Sequence, residues 1–167
     1  MSDVYCVRAQ YGKYAAHFVR GGYVAMPWEI EKDLSDAHGI DDLRAKYYAE
    51  GSRTKGIVAE QYIGQIARFM FDLKPGDTVV TPSYETEQIY HGTVRAQPYY
   101  FNLTKDGCPF PHRRPVLWEP NAIPIGQFTE EFQRNMRSFM TIFPISRTDD
   151  FFDVVNRNKF KKEDLKA

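Results

Sequence analysis

The chain has 167 residues, 43% of them hydrophobic, with 22 basic against 22 acidic residues and a formal net charge of zero. One domain with an ordinary core, followed by a tail, fits that length and composition. Charge balance excludes a bulk electrostatic coat for nucleic acid but leaves room for a local basic face; no apolar run is long enough for a membrane span; and two distant cysteines, Cys6 and Cys108, make neither a disulfide framework nor a metal set.

Residues 3–9 favour a strand that begins without a charged-then-apolar leader, so the cytoplasm is the expected compartment. Cys6 in that strand reads as a buried small hydrophobe. Tyr11 to Arg20 carries Tyr14, Ala15, Phe18 and Val19 at helical spacing, and Gly21-Gly22 stops the helix. Tyr23–Met26 is a short apolar strand cut off by Pro27. Asp33 to Gly51 reads as short helical pieces, with Asp41 or Asp42 as a cap. Gly51 to Gly56 is a flexible basic loop holding Arg53 and Lys55.

Val58 to Leu73 is the strongest helix, its apolar residues Ile63, Ile66, Ala67, Met70 and Phe71 recurring on one face. Pro75-Gly76-Asp77 turns the chain into a strand, Thr78–Pro82, with Tyr84 just past its end. Ser83 to Gln88 is a polar turn, and Ile89 to Ala96 returns as the hairpin partner. Residues 97–112 are loop-like and proline-rich, and Pro115–Glu119 is a strand. Phe128 to Phe139 is a helix opened by Thr129-Glu130-Glu131, a cap with an acidic first turn. Met140–Ile145 is a last strand, and Asp149–Val155 a short helix. From Arg157 the chain is polar and reads as a linker or frayed tail. The order predicts an α+β fold: a small bent mixed β-sheet or β-barrel flanked by helices.

The chemistry of an enzyme is missing. Gly51 to Gly56 has the glycine spacing of a phosphate loop without the Lys-Ser/Thr that must follow. There is no GxSxG or HExxH, and His17, His38, His91 and His112 are scattered. The domain therefore reads as non-catalytic, with no cofactor and no metal.

Binding residues are easier to find. Trp28 follows a strand end and a proline, and could form the wall of a pocket for a flat ligand. Tyr99, Tyr100, Phe101 and Phe110 sit in the proline-rich loop, either folded onto one another or with one ring facing Trp28. Arg53, Lys55, Arg68, His112, Arg113 and Arg114 could contact phosphates. Gln10 and Gln65 could reach a base edge.

Four stretches, in order, carry a resemblance. They are residues 22–29 (Gly-Tyr-Val-Ala-Met-Pro-Trp-Glu) with Asp33-Leu34-Ser35; residues 64–69 (Gly-Gln-Ile-Ala-Arg-Phe); residues 73–82 with Gly92-Thr93-Val94; and residues 112–118. Together they resemble the PUA-like superfamily branch of EVE and YTH domains. Within it they look most like the N-terminal modified-DNA-binding domains of McrB- and Mrr-type modification-dependent restriction systems. The resemblance implies a nucleic-acid-binding domain over residues 1–147, then a short helix and polar linker or tail over 148–167. It implies a bent barrel whose aromatic cage receives a methylated base flipped out of double-stranded DNA. Trp28 would supply the first cage ring, the loop a second from Tyr99, Tyr100, Phe101 or Phe110, and Gln10, Tyr11 and Tyr84 the rest of the pocket. A nuclease or NTPase on another domain or subunit would act on the DNA. A reader of modified RNA, or a protein-interaction module, are the alternatives.

Overall fold

The computed structural model of the protein describes residues 3–27, 30–49, 54–83, 85–138 and 140–166. In chain order the elements are β1 (Val4–Val7), α1 (Ala15–Gly21), β2 (Tyr23–Met26), α2 (Ile40–Ala49) and α3 (Gly56–Ala67). They continue with β3 (Thr78–Ser83), β4 (Gln88–Val94), β5 (Tyr100–Phe101), β6 (His112–Trp118) and β7 (Ile123–Pro124), then α4 (Glu130–Asn135), β8 (Ile142–Pro144) and α5 (Thr148–Lys166). The fold is α+β, a strongly curled mixed sheet forming a half-barrel flanked by helices. Its order is β2-β6-β4-β3-β1-β8, with β5 added to β6 and β7 to β4. Among the described residues, only β1 and β3 run parallel. Among the described residues, no helix is long and apolar enough to cross a membrane.

The sheet has a core on each face, which explains why β1 alternates so weakly in sequence. Tyr5 and Val7 pack with α1, α2 and α3 residues such as Phe18, Leu43 and Ile66. Val4 and Cys6 point the other way, toward Phe132, Phe143 and Phe151. A strand buried on both faces reads as continuously apolar. Cys6 is fully buried, and burial pushes its thiol pKa up to about 12, so it behaves as a small hydrophobe.

Local chemistry sets most element ends. At Lys74-Pro75-Gly76-Asp77 the Asp77 N–H donates to Lys74 O (3.0 Å), and Gly76 takes φ +92°, the left-handed position of a type II turn. The buried Asp77 carboxylate accepts from Lys74 N (2.8 Å) and Asp3 N (3.2 Å), tying the turn to the entrance of β1. Thr129 caps α4 as its sequence suggests, its hydroxyl accepting from Phe132 N at 3.1 Å.

Several boundaries differ from expectation. The helix expected from Tyr11 starts only at Ala15, because Gln10 and Tyr11 are left-handed. The helix expected to run to Leu73 ends as a single π-helical turn over Arg68–Asp72. The strand expected at Pro115 already begins at His112, where it pairs with Met26 of β2. The segment from Arg157, expected to be a linker or frayed tail, is helical: α5 runs unbroken over 19 residues. Phe151, Val154 and Val155, at i, i+3 and i+4, bury its first turns in the second core.

The curl depends on close strand contact at Gly92, which pairs with Trp118. A Cβ there would lie 2.6 Å from Leu117 O and 2.9 Å from Trp118 Cα. Gly92→Ala is expected to lower stability by about 2 kcal/mol through overpacking, read as a reduced midpoint of urea unfolding. An unchanged midpoint would mean that β4 and β6 can separate at no cost.

Candidate functional site

At the end of β1 the backbone does something that sequence rarely dictates. Gln10 (φ 47°), Tyr11 (φ 57°) and Gly12 (φ 84°) are left-handed in succession. For the two non-glycine residues this costs roughly 1–2 kcal/mol each, and such strain collects at functional sites. Its result is visible: the Tyr11 ring is 66% exposed. It lies against the Arg8 guanidinium, 5.4 Å from ring centroid to Cζ.

Arg8 is itself held from behind. It is buried, and its guanidinium donates to Met136 O and Ser138 O. Its backbone N–H donates to Thr141 O at 2.7 Å. The segment between α4 and β8 is thereby fixed beside the left-handed turn. Two residues of the α3 face and the turn after it fix the same segment from the far side. Gln65 Oε1 accepts from Thr141 N (2.7 Å) and Ile142 N (3.3 Å). Arg68 Nη1 donates to Ile142 O at 2.9 Å and lies 3.8 Å from Met140 Sδ.

Between these anchors opens a cleft of about 590 Å³ lined by Gln61, Gly64, Gln65, Arg68, Ser138 and Met140. That volume suits a small planar group. Gly64 leaves one wall as bare backbone, and a Cβ there would meet nothing within 4 Å. Gln65 accepts with Oε1 only; its Nε2 has no partner among the described residues and remains a donor on the wall. Of the residues expected from sequence, Gln65 and Arg68 line the cleft, and Tyr11 lies against Arg8, which binds the same segment; no side-chain contact of Gln10 joins them among the described residues. Arg8, Ser138 and Met140 were not foreseen. Arg8 carried one sequence signal, a cation directly after four apolar strand residues.

Other expectations are corrected. His112, Arg113 and Arg114 do not face a phosphate: they are 2%, 2% and 5% exposed. His112 Nδ1 and Tyr99 Oη share a hydrogen bond (2.6 Å) and His112 Nε2–H donates to Ile30 O (2.5 Å), while Tyr99 Oη also accepts from Leu34 N–H. This imidazole clamps the segment after β2 to the proline-rich loop. Burial raises the Tyr99 pKa, so the phenol stays a donor. Arg113 donates from Nε to Phe110 O (2.9 Å) and from Nη2 to Cys108 O (3.1 Å), and forms a two-pronged ion pair with Asp106. It also stacks on Tyr23, with Cζ 4.0 Å from the ring centroid. Arg114 Nη1 donates to Phe69 O (2.8 Å) and Leu73 O (2.7 Å).

The loop aromatics do not assemble into a cage among the described residues. Tyr99 and Phe110 are core residues, Phe110 packing edge-on against Tyr14 at 5.0 Å. Tyr100 is 37% exposed on β5. Lys55 is exposed at the start of α3 and free to meet an anion. Trp28, Arg53 and Tyr84 lie outside the described residues.

Comparison with known proteins adds a family. No curated protein matches the chain. Among solved structures it is similar to the crystal structure of protein Atu2648 from Agrobacterium tumefaciens, at 11% identity and a TM-score of 0.43 over 93% of this chain and 92% of that one. A family model described as a domain of unknown function (DUF8426) matches residues 7–146, from the last residue of β1 to just past β8, and the chain belongs to that family.

Proposed function

We propose that this domain is a non-catalytic reader of methylated DNA. A modified base flipped from the duplex enters the cleft between α3 and the segment 138–141, and Tyr11 stacks on it. The exposed, strained Tyr11 carries this reading. A tyrosine held in solvent over an arginine by two left-handed residues stabilises nothing in the core, and base–aromatic stacking is a use for it. Gln65 Nε2 offers a donor to the base edge, Arg68 stands at the cleft wall, and Lys55 extends a basic margin along α3. The resemblance to EVE- and YTH-like domains of restriction systems agrees with such a role. The domain would act in the cytoplasm by bringing a nuclease or NTPase effector to modified DNA.

Fluorescence anisotropy with matched duplexes tests this. The set holds unmodified DNA, N6-methyladenine, 5-methylcytosine and 5-hydroxymethylcytosine. One modified duplex is expected to bind at least about tenfold tighter than the unmodified one, the lower end of one stacked base. Gly64→Leu, whose Cβ would meet nothing within 4 Å and whose side chain would occupy the cleft, should erase that difference. Equal affinity for all duplexes would refute the proposal, and tighter binding of methylated RNA would transfer it to the RNA alternative.

A further inference from the structure

Arg114 is a buried cation whose hydrogen bonds are incomplete. β6 aims it inward opposite Val24 of β2. Its Nη1 serves two carbonyls where the α3 helical segment ends, Phe69 O and Leu73 O. The partial negative charge of a helix C-terminus favours a cation there. Nε, however, is buried without any hydrogen-bond partner. Nη2 likewise makes no hydrogen bond among the described residues. No carboxylate pairs with Arg114 among the described residues. Asp77, whose charge is felt at Arg114, already accepts from Lys74 N and Asp3 N. Burial draws the guanidinium below its ordinary pKa, yet an arginine stays charged at neutral pH.

Beside this group lies a second cavity, of about 450 Å³, separate from the cleft of the proposed reader. Ala37, Met70, Phe71, Pro98 and Tyr99 make its walls largely apolar, with Arg114 as its single charge. Nε is buried away from solvent, so the donor that the guanidinium can offer to an anion in the cavity is the unpaired Nη2, a charge-assisted one. One cation among apolar walls suits a singly charged anion on an apolar body better than a phosphate dianion, which needs more donors.

We infer that this cavity binds a small amphiphilic carboxylate, with its anionic group on Arg114 and its apolar body against Met70, Phe71 and Tyr99. The site does not depend on nucleic-acid recognition, and a carboxylate bound there would bridge β6, α3 and the proline-rich loop.

Benzoate titrated into the full chain, followed by calorimetry and by amide shifts in NMR spectra, tests the inference. Saturable 1:1 binding is expected, with shifts concentrated at Ala37, Met70, Phe71 and Tyr99. Benzyl alcohol, a neutral ligand of similar shape, should bind at least about tenfold more weakly, because it lacks the charge that strengthens a hydrogen bond from Arg114. Ala37→Trp narrows the cavity without touching Arg114 and should abolish benzoate binding while the thermal midpoint stays near that of the parent. Arg114→Met should also lose binding if it folds. Absence of saturation by benzoate, equal binding of benzyl alcohol, undiminished binding in Ala37→Trp, or equal saturation by inorganic phosphate would each overturn the inference. None of these outcomes bears on whether methylated DNA is preferred.

Discussion

Arg113→Met is expected to lower the stability of the domain by about 3 kcal/mol, the lower end of what breaking a buried charged network costs. The thermal midpoint should fall by roughly 6–12 °C for a chain of this size. The methionine keeps most of the aliphatic volume, so the loss reports the guanidinium. That group holds the carbonyls of Phe110 and Cys108, pairs with Asp106 and lies on the Tyr23 ring. Without it two carbonyls beside buried side chains lose their donor, at about 1–3 kcal/mol each. The effect should be structural: the salt dependence of DNA binding should not change, because Arg113 is 2% exposed. A fall below about 0.5 kcal/mol, within the range of an ordinary surface substitution, would mean that the network contributes little.

The same network gives a pH signature. Hydrogen bonds from Arg113 are the main cause that lowers the Asp106 pKa from its ordinary value to about 2. A carboxylate with a depressed folded-state pKa adds stability above its unfolded-state value and loses it as pH falls through the folded one. The parent should therefore lose this increment between about pH 4 and about pH 2, and Arg113→Met should show a flatter acid limb. Urea unfolding across that range reads both.

Why the sequence revealed some features and hid others follows from where the determining partners sit. Lys74-Pro75-Gly76-Asp77 and the Thr129 cap act on neighbours within three residues, so their geometry is legible from residue type. The double-sided sheet was legible through its apolar strands. His112-Arg113-Arg114 misled because three basic residues before a strand suggest a solvated edge. Burial of such residues requires partners, and these are supplied by the loop carbonyls, by Asp106 and by the end of the α3 segment. No spacing rule announces them. α5 misled in the opposite way. Its charged composition suggests a tail, but those residues are good helix formers, Asp149 and Asp150 stand in its first turn, and the Phe151–Val154–Val155 stripe was present to be read. Gln10 and Tyr11 are the hardest case. A left-handed pair without glycine has no compositional mark, and Tyr11 looked like the start of a helix.

That pair yields the second large effect. Tyr11→Gly should increase stability while destroying recognition. Glycine adopts the left-handed region freely, so removing one strained residue should stabilise the fold by about 1 kcal/mol. Tyr11 is 66% exposed, so little buried surface is lost in return. Arg8 remains held by Met136 O and Ser138 O, which keeps the cleft segment in place. The stacking ring is gone, and preference for the modified duplex should fall about 10–100-fold, the equivalent of one base–aromatic stack. Tyr11→Phe keeps the ring and should retain the preference, which separates stacking from any role of the hydroxyl. Strain of this kind persists where function needs it, so opposite signs in the two measurements would identify Tyr11 as a recognition residue. A Tyr11→Gly protein that keeps its full preference for the modified duplex would remove Tyr11 from the site, whatever its thermal midpoint.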